Sequence, residues 1–510
     1  MLRRAFSTTP VRCFELLDNY TLKCGLEIHT QLDTKHKLFS LSSHTFNAEP
    51  NTRTSFFDCA LPGAQPRLNP EALLFALKAA TALNSTVNLE STFDRKHYFY
   101  GDQPHGYQIT QHYNPLAKGG SITLLPHDGV KSEKIIHIDQ IQIEQDTGKS
   151  SYVDHNQTSK VDLNRANVPL IEVVTQPDFR NVDEVRAFIR KYQTLVRHLG
   201  ISTGELESGA MRVDVNISVN DGSRIEMKNL STTSAVTNAI RYEYTRQVRL
   251  LQSTNTERLT SGNETRGWNG STTYRLRSKE SAIDYRYMPD PELPPVRLQQ
   301  DIVEQIRAGF PEFPDDIIAK LTAKPFGLRL KDAQVLINNS AYLAYYMAFF
   351  EGVVGCGLPG KLATNWFFHD FLGHLHKLEE EGVSHALEQV VPVARFSELV
   401  SMVHGDEISK ASGKLLLAHM VSHVGETTSL VALVEEYDLG KVSEITPEVA
   451  NAIAEICAEI IAENPKVVAD YQEKKKKNSV KWMIGQAMRL SQGKIDSGLF
   501  EESFKRLLGK

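Results

Sequence analysis

Residues 25–32 read GLEIHTQL: Leu26, Ile28 and Leu32 fall on one side of a period-two alternation, and Glu27, His29 and Gln31 on the other. This is the pattern of a half-buried β-strand with a carboxylate and an imidazole on its polar face. Taken alone, the stretch reads first as an exposed sheet face bearing ordinary polar residues. A second alternating segment, Arg212 to Val219, places Asp214 and Asn216 opposite to Val213, Val215 and Ile217. The next strand carries Glu226 and Lys228, and a three-residue loop, Asn220-Asp221-Gly222, keeps the polar positions of both strands on one face. On that register Asn216 faces Glu226 and Asp214 faces Lys228, and Gly222 takes the left-handed position. Glu172 interrupts the apolar run PLIEVV, and Glu144 follows IHIDQIQI, whose apolar phase switches between Ile138 and Ile141 as a bulge or bend would make it do.

Were Glu27, His29, Glu144, Glu172, Asp214 and Glu226 to converge, repulsion would cost about 4 kcal/mol per carboxylate pair at roughly 4 Å and an effective dielectric of about 20. Divalent cations would have to neutralise such a cluster. Hard oxygen ligands select magnesium or calcium, and two magnesium ions bridging ATP phosphates would use this chemistry. The stretch DTGKS imitates the end of a P-loop, but Ile143 stands where that motif needs its first glycine, so no Walker-type site is present.

The elements that must position these groups are short strands up to about residue 296: Lys23 to Leu32, Lys134 to Glu144, Leu170 to Thr175, Arg212 to Val219 and Arg224 to Lys228. Two helices interrupt them, one capped by Asn181 and stopped at Gly200, the other from Thr233 to Gln252. The expectation is an α+β domain with a largely antiparallel sheet. The proline-rich PDPELPPV, Pro289 to Val296, ends it. Helical periodicity follows, as in SAYLAYYMAFFEGV and NWFFHDFLGHLHKL. After Pro447 a last all-helical segment carries the basic run Lys474, Lys475, Lys476 and Lys477. The divisions expected are 15–296, 297–440 and 441–510.

A chain of 510 residues with 41% hydrophobic and 23% charged content is globular and too long for one core. Its net charge of −5 gives no global attraction to nucleic acid, so RNA binding would need a local basic surface. The five cysteines form no C-x-x-C pair, which fits a reducing compartment. No apolar run approaches the length needed to cross a bilayer. MLRRAFSTTPVRC carries three arginines with Ser7, Thr8 and Thr9 and no acids, the pattern of a mitochondrial transit peptide over residues 1–14, or of an incidentally basic tail.

With these segments assembled, the chain resembles the B-subunit family of glutamyl-tRNA(Gln) amidotransferases, in organellar form. The blocks that carry the resemblance are GLEIHTQL, YFYGDQPHGYQITQ, IEQDTGKS, DLNRANVPLIEVV, RVDVNISV, RIEMKNL, ETRGW and RSKESAIDYRYMPDPELPP. The resemblance implies a catalytic cradle domain, a helical domain and a small all-α YqeY-like tail. It also implies ATP- and magnesium-dependent phosphorylation of the glutamyl side chain on misacylated Glu-tRNA(Gln). Ammonia supplied by a partner amidase subunit of the GatA type then displaces the phosphate. A small linking subunit, of the GatC type or a lineage-specific replacement, would complete a heterotrimer in the mitochondrial matrix.

By motif match, Glu27, His29, Glu144, Glu172, Asp214 and Glu226 become metal-binding and active-site groups, with two magnesium positions. Arg277, Lys279 and Arg286 become candidates for ATP or the tRNA terminus, or for structural ion pairs, and the tail lysines for the tRNA body. Three departures matter. Ser40, Ser42, Ser55 and Asp58 stand where bacterial relatives often carry a zinc knuckle, so no structural zinc is expected. Glu144-Gln145 replaces a pair of acids, and His105 a more basic residue. A non-catalytic tRNA-binding scaffold and an Asp-tRNA(Asn) amidotransferase subunit remain the alternatives.

Overall fold

The computed structural model describes residues 16–153, 158–253, 264–278, 284–380, 385–441, 446–474, 477–491 and 494–508. The leader at 1–14, Lys279, Lys475 and Lys476 lie outside them. Two compact units divide at Pro314.

The first unit is built on a ten-stranded sheet. Its strands are β1 (Leu22–Gln31), β2 (Thr86–Val87), β3 (Ala117–Lys118), β4 (Ser121–Leu124), β5 (Lys134–Gln145), β6 (Pro169–Thr175), β7 (Met211–Val219), β8 (Ile225–Leu230), β9 (Glu264–Trp268) and β10 (Thr273–Ser278). The spatial order is β10-β9-β8-β7-β1-β6-β5-β3-β2, with β4 also pairing with β5. Every pairing is antiparallel except β8 with β9. That pair needs a crossover, and helix α3 (Thr233–Gln252) supplies it.

Along β7 the burial alternates strictly, with Val213, Val215, Ile217 and Val219 buried and the residues between them half-buried. The apolar faces of β1 and β7 pack with Phe188, Ile189 and Tyr192 of helix α2 (Val182–His198) in one core. Asn181 caps α2 by accepting from the Glu184 N–H at 2.9 Å, and Gly200 is left-handed just past its end, as sequence predicts. An earlier helix, α1 (Pro70–Ala82), was not expected. Asn69 caps it and proline occupies its first turn, and its buried face is mainly alanine, a weak periodic signal.

Two local expectations meet different fates. The apolar phase switch in β5 is a bulge: Val174 pairs with Gln140 and Thr175 with Ile138, leaving Asp139 as the extra residue. In the β7–β8 turn, Gly222 is not the left-handed residue. Asn220 and Asp221 are, at φ 51° and 57°, and the Gly222 N–H closes the turn onto the Val219 carbonyl at 3.0 Å. Asn and Asp tolerate that region better than other residues with a Cβ, and the Asn220 side chain here accepts from the distant Thr21 N–H on the approach to β1. The expected pairing of Asn216 with Glu226 is present.

A small three-stranded sheet, Met288–Pro289, Asp94–His97 and Tyr107–Thr110, has no counterpart in the sequence reading. It brings the Tyr98 to Gln111 block to the acids. The second unit is helical. Tyr346, Phe349, Phe367, Phe371 and Phe396 fill one core, and a separate cluster around Cys457, Met483, Phe500 and Phe504 joins the last helices. No described helix is long and apolar enough to cross a membrane.

Candidate active site

The polar face of the sheet brings all six predicted groups together from five strands. Glu27 lies opposite Asp214, and His29 opposite Glu172. Ligating atoms fall into two triads, each spanning no more than 4.8 Å: Glu27 with Asp214 and Glu226, and His29 with Glu144 and Glu172. Beside them is a cavity of about 550 Å³ whose lining includes His29, Tyr98, Glu144, Arg212, Asp214 and Lys228.

Each acid is held by its neighbours. The Asn216 amide donates to Glu27 at 2.8 Å, and the Thr265 hydroxyl to Glu226 at 2.9 Å. Glu144, only 3% exposed, accepts from the Gln108 amide and from the Thr110 hydroxyl at 2.9 Å. Gln142, on β5, donates to Glu172. Lys228 occupies the first triad, its Nζ 2.9 Å from both Asp214 and Glu226. Burial opposes the Lys228 charge, yet those two carboxylates overcome it and raise its pKa.

The second triad behaves differently. Burial, reinforced by the Glu27 charge, pushes the Glu172 carboxyl up to about 7. Burial also lowers the pKa of His29, although Glu144 and Asp214 oppose that shift. The 3.8 Å contact between His29 and Glu172 is therefore not an ion pair near neutral pH, and His29 keeps a lone pair.

Sequence reasoning placed Lys228 facing Asp214, as the structure does, but gave it no role, and it overlooked two further cations near the acids. Lys96 sits over the Tyr285 ring at 4.9 Å; burial opposes its charge, and Glu144 and Glu172 raise its pKa. Arg212 pairs with Asp146 at 2.7 Å. The positions of Lys228 and Arg212 on half-polar strands carried a signal, since a cation interleaved with acids on one face is a counterion by register alone.

Arg277 lies on β10 opposite Thr265, and its side chain, like those of Lys474 and Lys477, is not among those described. Arg286 is exposed, and it is its carbonyl that meets the His97 ring nitrogen, at 2.9 Å. Gln145, where relatives carry an acid, accepts the Ile109 N–H at 2.8 Å and ties the two sheets together. His105 packs against Phe57, with a ring nitrogen 2.7 Å from the Phe57 carbonyl; burial lowers its pKa.

At the positions of the zinc knuckle, Asp58 accepts from the Ser40 hydroxyl, the Ser55 N–H and the Asn167 amide. It also pairs with Lys37 at 3.1 Å, both side chains being fully buried.

The sheet thus gathers carboxylates from five strands beside a cleft, and the comparisons with known proteins identify the family. The chain matches the family model described as GatB/GatE catalytic domain over residues 22–304, and the GatB domain over residues 348–508. It is 50% identical to the mitochondrial glutamyl-tRNA(Gln) amidotransferase B subunit of Lachancea thermotolerans, covering 98% of this chain and 95% of that one. The Debaryomyces hansenii protein of the same name is 49% identical over 97% and 96% of the two chains. The one from Saccharomyces cerevisiae is 48% identical over 96% and 94%. The chain belongs to this family of glutamyl-tRNA(Gln) amidotransferase B subunits, and like these relatives it is mitochondrial.

Proposed function

We propose that this chain activates the side-chain carboxylate of glutamate esterified to tRNA(Gln), using ATP, and presents the acyl phosphate to ammonia. The observation that carries this reading is the pair of ligand triads on one sheet face. A carboxylate is a poor acyl donor, and phosphorylation converts it into a good one. The obstacle is charge, because an anionic substrate must approach an anionic nucleotide across a face of acids.

The all-oxygen triad of Glu27, Asp214 and Glu226 has the hard donors that magnesium prefers, and Lys228 between two of them shows that the geometry accepts positive charge. Glu144 and Glu172, with His29, would hold a second ion. Magnesium, when bound, supplies charge neutralisation and orients phosphate oxygens. Asn216, Thr265, Gln108, Thr110 and Gln142 fix the carboxylates so that little rearrangement is needed. Lys228 and Arg212 supply cations at the cleft for phosphate oxygens. Arg277, Lys279 and Arg286 are assigned to ATP or to the tRNA terminus.

Glutamine hydrolysis is assigned to an amidase partner held with this chain by a small third subunit, and the run from Lys474 to Lys477 to the tRNA body. The test is hydrolysis of γ-labelled ATP by the reconstituted complex. Wild type should require both magnesium and Glu-tRNA(Gln), and Asp214→Ala and Glu226→Ala should lose hydrolysis while retaining the complex. Undiminished hydrolysis in both variants would leave this chain as a tRNA cradle. Equal turnover of Asp-tRNA(Asn) would overturn the choice of substrate.

A further inference from the structure

Helix Lys410–Ser422 of the second unit ends in the sequence HMVSHVGE, which carries His419, His423 and Glu426. Residues four apart lie on one helix face, so the two imidazoles meet. Their rings stack with centroids 4.1 Å apart. Gly425, left-handed at φ 84°, then reverses the chain and returns Glu426 to the same face, where its carboxylate lies 2.8 Å from Nε2 of His419. The loop is clamped from outside: the Arg395 guanidinium donates to the carbonyls of Glu426 and Thr428.

The geometry points to a transition-metal site formed by His419, His423 and Glu426, lying outside the acid-lined sheet. One ligand atom from each residue falls within 4.8 Å of the others. Tetrahedral zinc with bonds of about 2.0–2.1 Å places its ligand atoms roughly 3.4 Å apart, so side-chain rotation alone closes the difference. A ring nitrogen of His423 faces the His419 backbone carbonyl at 3.0 Å. Ligating histidines characteristically anchor their second nitrogen in this way, which fixes the tautomer and leaves the other lone pair free. Two imidazoles and one carboxylate are borderline donors. They suit zinc, cobalt or nickel and fit magnesium poorly. With three protein ligands, and His423 exposed, water can complete the coordination. The bound ion would staple the end of the helix to the loop preceding Ser429.

The experiment uses the full chain in complex with its partner subunits, stripped with chelator and reloaded with cobalt or zinc. Wild type should show the visible absorption of four-coordinate cobalt, displaced by zinc and not by magnesium. It should retain one more equivalent of zinc after dialysis than His423→Ala or Glu426→Gln. His423 is exposed, so the alanine variant should keep the helical circular dichroism of wild type. If it does not, Glu426→Gln reads the same difference. Equal zinc content and equal cobalt spectra in wild type and a folded variant would overturn the site.

Discussion

Lys228→Met removes the cation that holds the first triad together. Its Nζ lies 2.9 Å from each of two carboxylates, a gross attraction of about 6 kcal/mol per pair at an effective dielectric of roughly 20. Most of that is offset by desolvation, and the Lys228 side chain is 35% exposed, so solvent screens much of the remainder. Breaking a fully buried pair costs about 3–5 kcal/mol. Partial exposure brings the expectation here to about 2 kcal/mol, because solvent can reach Asp214 and Glu226.

The assay is urea unfolding of the complex in chelator, followed over the transition of this chain. In magnesium the gap should narrow. With Lys228 gone, the ion no longer competes for the carboxylates, and the variant should bind it about tenfold more tightly, a gain of about 1.4 kcal/mol. Magnesium should therefore stabilise Lys228→Met more than wild type. Equal stabilities in chelator, together with equal magnesium responses, would refute the assignment of Lys228 as a resident counterion.

Glu172 makes the metal-free protein sensitive to pH. Its folded pKa of about 7 stands above the usual 4.5, so the folded state holds the proton more tightly. Stability falls as pH rises between these values, by about 3 kcal/mol in all. Unfolding in chelator at pH 5 and pH 8 should show this loss, and Glu172→Gln should flatten it. Asp58→Ala leaves the fully buried Lys37 uncompensated and should cost about 3–5 kcal/mol; replacing both residues with apolar ones should recover much of it, which thermal unfolding of the double mutant reads. Gly413 lies in a helix where alanine would ordinarily add about 1 kcal/mol, but a Cβ there would meet Val403 at 2.5 Å and Trp366 at 3.1 Å. Gly413→Ala should therefore destabilise by about 1–3 kcal/mol, and an increase in melting temperature would contradict that packing.

The sheet's sidedness was legible because period-two alternation and burial are one fact. Once Val213, Val215 and Ile217 face the core, Asp214 and Asn216 must share the other face, as they do. The pairing of Asn216 with Glu226 followed from loop length alone. The division of the acids into two triads was not legible, since it depends on which strands neighbour β1, and β6 and β7 are distant in sequence. The short strands Asp94–His97 and Tyr107–Thr110 have too few residues for a period, so the hands that hold Glu144 were missed. The turn failed for a chemical reason: glycine was given the left-handed position, while Asn220 and Asp221 both accept it. In NWFFHDFLGHLHKL, the periodicity did not show that Trp366–Phe371 widens to a π-helical turn that buries Trp366, Phe367 and Phe371 together.

The central strand β1 also sets how the chain must fold. It bonds Thr175, 149 residues from Leu26, on one side, and Asn216, 189 residues from Glu27, on the other. The strand made first thus receives its partners last. Pairings so distant form slowly, because loop closure precedes any reward from contact. Until residue 175 is available, Leu26 and Ile28 belong to an unpaired apolar strand, and until residue 219 to one with an open edge, of the kind that aggregates. A chain that enters its compartment unfolded therefore needs this segment sheltered, and a stall before β7 leaves a product with neither a core nor a catalytic face.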